Sequence, residues 1–143
     1  MCVYMCLDCY EIYDKDKIYK NDFYDYIGCP KTNCVGELIE IDELMIPTIK
    51  ILNQKGYYTK FCCSGHYYDQ HPNGYIMFEE DIDVPNLPKG WNKEEHGNYV
   101  VIRSSISYEV GKRPTIKDFK KICDNAKTLV DWAIKLPYNE ECY

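Results

Sequence analysis

Four cysteines near the start constrain this chain more than any other feature: Cys6-Leu7-Asp8-Cys9, then Cys29-Pro30-Lys31-Thr32-Asn33-Cys34. A thiolate pair two to four residues apart can bend its backbone around one ion, and two such pairs complete a tetrahedral all-cysteine site. The nineteen residues between the pairs leave room for a short hairpin, which is the spacing of a zinc ribbon. A structural Zn2+ held by Cys6, Cys9, Cys29 and Cys34 is therefore expected, with the ribbon occupying residues 1–40. These forty residues carry too little apolar material to fold alone, so the metal has to help hold them. Short aromatic strands at 11–13 and 24–27 flank the charged turn Asp14-Lys15-Asp16-Lys17, and Gly28 and Gly36 offer the knuckles positive φ. Cys2 lies close enough to compete as a ligand, but the tighter spacing to Cys9 favours Cys6.

Nine cysteines in 143 residues would also suit a disulfide scaffold. The count is odd, however, and no apolar segment with a small-residue cleavage site opens the chain, so a reducing cytoplasm with metal-bound thiols is the expectation. The longest uncharged apolar runs fall short of the roughly 18 residues a membrane span needs. A net charge of −6 argues against general nucleic-acid binding, because phosphate neutralisation supplies most non-specific affinity. Alanine and arginine appear only twice each, as Ala126, Ala133, Arg103 and Arg113. Such a bias is what AT-rich codons produce and suggests a low-GC bacterium or one of its phages, in which case the setting is a host cytoplasm.

Residues 41–143 read as an α+β domain. A strand at 37–41 leads out of the ribbon to Asp42, a helix N-cap, and Met45, Ile49 and Leu52 then repeat at helical spacing over about 43–55. Pro47 sits awkwardly in that span unless it lies in the first regular turn, and Lys55-Gly56 is a good stop. Strands follow at about 57–63, 74–79 and 99–106, with Pro85, Pro88 and Gly90 breaking the stretch between the last two. Thr115 caps a final helix over about 116–135, with Asp118 three residues on and an expected buried stripe of Phe119, Ile122, Cys123, Ala126, Leu129, Val130 and Ala133. This order predicts an antiparallel sheet covered by two helices.

Two places carry further chemistry. At the end of the first of these strands, Cys63-Ser64-Gly65-His66 forms a turn in which Gly65 lets the backbone bend and Ser64 and His66 can face one pocket. The same residues admit a thiol activated by His66, a second metal site from Cys63, His66 and His71, or plain burial of Cys62 and Cys63. Before the last helix, Lys112 and Arg113 stand where free amides and the helix dipole favour an anion, and Arg103 can reach the same space. A solvated loop explains the two cations equally well.

Asp42, Ile46, Ile49, Asn53, Tyr58, Thr59, Cys63-Ser64-Gly65, Ile76 and Phe78 together resemble the opening of the tRNA wybutosine-synthesising methyltransferase family over about residues 42–78. Gly90-Trp91 and His96 echo its later elements. His66 replaces that family's arginine, and Cys62 a serine. The resemblance implies a similar α+β core, a ligand-facing turn and S-adenosylmethionine chemistry on RNA. The chain as a whole looks like small uncharacterised zinc-ribbon proteins of low-GC bacteria and their phages.

The functional expectation is a non-catalytic binding protein with no catalytic residue assigned. A small nucleotide-like anionic ligand would meet Cys63, Ser64, Gly65, His66, Arg103, Lys112 and Arg113, and a phage could use such a pocket to sequester a host nucleotide signal. Two alternatives stand beside it: a methyltransferase-like RNA-modifying protein, and an interaction module that docks through its ribbon. Surplus tyrosines such as Tyr67 and Tyr68 suit base stacking or a homo-oligomer contact.

Overall fold

A computed structural model describes residues 2–18, 27–64, 73–105 and 115–139. Among the described residues the chain forms two antiparallel sheets and two α-helices. A three-stranded sheet has β1 (Cys2–Cys6) at its centre, between β2 (Ile12–Tyr13) and β3 (Leu38–Asp42). After a 3-10 turn at Glu43–Met45 come α1 (Ile46–Gln54), β4 (Thr59–Cys63), β5 (Tyr75–Phe78), β6 (Trp91–His96), β7 (Tyr99–Ser104) and α2 (Ile116–Lys135). The second sheet runs β4-β5-β7-β6.

Asp42 ends β3 and its carboxylate accepts from the Leu44 amide at 3.1 Å. The 3-10 turn that follows places Pro47 in the first turn of α1, where its missing N–H costs no helical bond. Gly56, at φ +90°, closes α1, with its amide on Asn53 O at 3.2 Å and the Tyr57 amide on Leu52 O at 2.9 Å. That paired geometry needs a left-handed residue at this position, which glycine adopts without a Cβ clash. At the far end, Thr115 and Asp118 form a full capping box on α2. Lys55 Nζ donates to the carbonyls of Ala133, Ile134 and Leu136 at 2.6–2.9 Å, so a cation seated at the end of α1 satisfies the last turn of α2.

The helix-covered sheet has four strands, one more than the sequence pattern predicts. β6 is its outer strand, and its run Asn92-Lys93-Glu94-Glu95 is polar because an outer strand buries little; Trp91 is its one buried residue. β1 also goes beyond the expected elements. Its residues alternate between two clusters, as period-two geometry requires. Val3 and Met5 join the main core with Ile41, Met45, Ile49, Leu52, Ile76, Phe78, Ile102 and Leu129. Tyr4 and Cys6 join Leu38 and the remaining cluster cysteines. The expected boundary between residues 40 and 41 consequently falls inside β3, and the segment before it shares its core with the segment after it. Of the two short strands expected around the charged turn, β2 is present, while residues 24–26 lie outside the described residues.

Candidate metal centre

β1 ends at Cys6 and the chain doubles back at once. Tyr10 N donates to Cys6 O at 3.0 Å and Cys6 N to Glu11 O at 3.0 Å. The second knuckle closes through Cys34 N on Lys31 O at 3.1 Å and Cys29 N on Gly36 O at 2.8 Å, beside an antiparallel bridge between Gly28 and Glu37. These turns bring the sulfurs of Cys6, Cys9, Cys29 and Cys34 within 4.8 Å of one another. Cys6 and Cys34 are 3.6 Å apart and Cys9 and Cys29 3.7 Å. A tetrahedron of thiolates at a metal–sulfur distance of about 2.3 Å has edges of about 3.8 Å, so the donor set matches a single ion of that size. The amides of Asp8 and Cys9 point at Cys6 Sγ at 3.4 and 3.5 Å.

The electrostatics show what four thiols this close require. Burial pushes the Cys29 thiol up, but the Lys31 amide, the Tyr13 hydroxyl and the thiols of Cys34 and Cys9 outweigh it and bring it down to about 7. The Gly36 amide lowers Cys34, yet burial and hydrogen bonds with Cys6, Cys29 and Cys9 push it up to about 12. One thiol ionises readily and its neighbour then resists. A divalent cation held by the four sulfurs would remove that opposition.

Gly36 was expected to give the second knuckle a positive φ, as Gly28 was for the same loop. Instead the positive φ values fall on Tyr10 (62°) and Asn33 (66°). Gly36 is needed for a different reason: a Cβ there would stand 2.5 Å from Cys6 Sγ and 2.9 Å from Asp8 Cβ. The second knuckle lies directly against the first ligand. Tyr13, whose hydroxyl is 3.6 Å from Cys29 Sγ, is a partner that spacing alone could not reveal. Leu7 and Tyr10 pack against the main core, and Lys50 Nζ lies 5.6 Å from the centre of the Tyr10 ring, so the first knuckle rests on α1.

The expected anion pocket is only partly visible. Gly65, His66, His71, Lys112 and Arg113 lie outside the described residues. Ser64 is buried, and its hydroxyl donates to the buried Asp42 carboxylate rather than facing a cavity with a free group. Asn53, another residue of the methyltransferase resemblance, donates to Ile49 O at 2.8 Å and to Thr59 Oγ1 at 3.0 Å, and accepts from Thr59 N at 3.3 Å. In this chain those polar positions tie α1 and β3 to β4. Cys63 and Arg103 do share a row, because Cys63 pairs with Tyr75 and Tyr75 with Arg103 across three neighbouring strands. The Arg103 guanidinium lies 5.3 Å from the centre of the Tyr75 ring, and its Nε is 3.3 Å from both Glu94 carboxylate oxygens.

A feature that sequence reasoning missed is a cleft of about 560 Å³ between β3 and β4, lined on one side by Leu38, Ile39 and Glu40 and on the other by Thr59, Lys60 and Phe61. Among the described residues, β3 and β4 are each the outer strand of their own sheet, and the cleft lies between them. No protein-family model, curated protein or solved structure matches this chain.

Proposed function

We propose that this protein is a non-catalytic interaction module whose N-terminal segment is a zinc ribbon. The observation that carries the reading is the cysteine quartet, with four sulfurs within 4.8 Å and two contacts near tetrahedral edge length. An all-thiolate, four-donor site leaves no open position for a substrate, which is the structural class of zinc site. Soft thiolates in a tetrahedron suit zinc or iron, and metal analysis separates the two. One zinc per chain in protein purified from cells supports the ribbon. Iron with visible charge-transfer absorbance would replace zinc, and a metal-free folded protein would end the reading. The module part rests on the cleft beside the ribbon, a recess between two sheet edges with Phe61 57 % exposed at its wall.

A second reading has one observation in its favour. The row Cys63–Tyr75–Arg103 offers a ring to stack a base and a guanidinium to meet its phosphate. A nucleotide-like anion there would have to displace Glu94 from Arg103. Titration with a nucleotide panel tests it: a rise in melting temperature that Arg103→Ala abolishes supports this ligand, and no rise for any member rejects it.

A further inference from the structure

The cleft between β3 and β4 continues into a second hollow of about 340 Å³ beside the first knuckle. Both spaces are lined by Glu37, Thr59 and Glu79, and Asp8 adds a third carboxylate to the hollow. Among the described residues, the side chains of Asp8, Glu37 and Glu79 have no cationic partner. Glu40 is neutralised by Lys15 at 2.6 Å, and Asp42 is held by Ser64 and the Leu44 amide. Lys60, the cation in the lining, lies 4.7 Å from the centre of the Tyr99 ring. The charge left facing the space is negative, and four thiolates around a divalent ion beside Asp8 would deepen it.

Among the described residues, the backbone on either side belongs to the outer strand of a sheet. Among the described residues, β3 pairs with β1 on one side, while on the other Leu38 alone donates, to Ile27 O at 2.8 Å. β4 pairs with β5 on one side. Phe61 and Tyr58, 57 % and 45 % exposed, supply apolar surface at the same place.

We propose that this groove docks an extended, basic peptide segment of a partner protein. Its backbone adds to a strand edge, its lysines or arginines meet Asp8, Glu37 and Glu79, and an apolar side chain rests on Phe61. The inference builds on the interaction-module reading and names the chemistry of the partner.

The test uses full-length, zinc-loaded protein and labelled ten-residue peptides: alternating Lys and Val, alternating Glu and Val, alternating Ser and Val, and a Lys peptide interrupted by prolines. The Lys–Val peptide is expected to bind best, and the Glu37→Gln/Glu79→Gln variant to weaken it by about tenfold, with a similar loss on raising salt. Asp131→Asn on α2, remote from this groove, should leave binding unchanged. Equal binding of the proline-interrupted peptide overturns the strand pairing, and an unaltered affinity in the double variant overturns the site. Binding of the Glu or Ser peptides without the Lys–Val peptide overturns the basic partner alone. Silence for every peptide removes the interaction-module reading as well.

Discussion

Around α1 and the four-stranded sheet, Ile49, Leu52, Ile76, Phe78, Ile102 and Leu129 are each no more than 1 % exposed. Around the cysteines, the buried set is Tyr4, Cys6 and Leu38, with partly buried Cys9, Tyr13, Ile18, Ile27, Cys29 and Cys34 at the margin. The first region is held by apolar burial at roughly 1.5–3 kcal/mol per large side chain. Among the described residues, the second has three well-buried residues to organise its two knuckles, which is the situation where metal binding supplies folding free energy. β1 joins the two regions, sending Val3 and Met5 one way and Tyr4 and Cys6 the other. A shared strand makes the regions unequal in means but coupled in stability.

Removing the metal should have the largest effect and is the sharpest way to break that coupling. Structural zinc in isolated fingers is worth about 10–16 kcal/mol at neutral pH, and a metal held by these cysteines would transmit part of its contribution through β1. Chelation is expected to lower the melting temperature of the whole protein in one transition, followed by circular dichroism. A helical signal that melts where it did before would show the regions to be independent. Acidification should act in the same direction, since protons compete with the ion for the thiolates and affinity falls as pH falls. Gly36→Ala, which forces a methyl toward Cys6 Sγ, should weaken metal binding by roughly ten- to a hundredfold, measured by competition with a chromophoric chelator.

Next in size, Leu52→Ala should cost about 2–5 kcal/mol in denaturant unfolding, because Leu52 is fully buried between α1 and the core. The comparison predicts that its metal content is unchanged. Loss of metal from this variant would mean that the body holds the cysteine segment as much as the reverse. Thr48 offers the opposite sign. It is fully buried on α1, and its hydroxyl lacks a hydrogen-bond partner. Thr48→Val removes an orphan polar group at nearly constant shape and should stabilise the protein by about 1–2 kcal/mol. A destabilised Thr48→Val variant would show that the cavity around it needs the hydroxyl.

How much of this was legible beforehand follows from the range of each interaction. The cysteine quartet could be read because two short spacings encode two turns, and the span and cap of α2 because they are local; its buried stripe was read only in part, since Phe119 and Cys123 are exposed while Asn125 and Trp132 are buried. The Lys55 ammonium on the last carbonyls of α2 joins residues 78 to 81 positions apart, and the Ser64–Asp42 bond joins the residue after β4 to the end of β3. Neither leaves a periodic trace. β6 escaped because an outer strand needs no apolar alternation, and β1 because a strand serving two cores is apolar on both faces. The cleft could not be read at all, since it is a product of how two sheet edges meet. Composition nevertheless foreshadowed its sign: in a chain of net charge −6, the charged residues lining this cleft are Glu37, Glu40, Asp42 and Glu79 against Lys60.

The smallest effect lies at the start of α2, far from the metal, and tests the body alone. Thr115 Oγ1 accepts from Asp118 N at 3.4 Å, and Thr115 N donates to Asp118 Oδ2 at 2.8 Å. Thr115→Ala removes the first of these and should cost about 1 kcal/mol. The Thr115 amide, then its hydroxyl, hold the Asp118 carboxyl below its ordinary value. A carboxyl lowered in the folded state stabilises at pH above its unfolded pKa, about 3.9, and that contribution fades as pH falls through the folded value. The gap between wild type and Thr115→Ala should therefore be full at neutral pH and narrow below about pH 4. Urea titrations at pH 7 and pH 3.5 read that difference, and a gap that widens on acidification would place the stabilising proton elsewhere. Because the capping box shares no residue with β1, metal content in Thr115→Ala should match wild type, which keeps this measurement confined to the apolar half of the molecule.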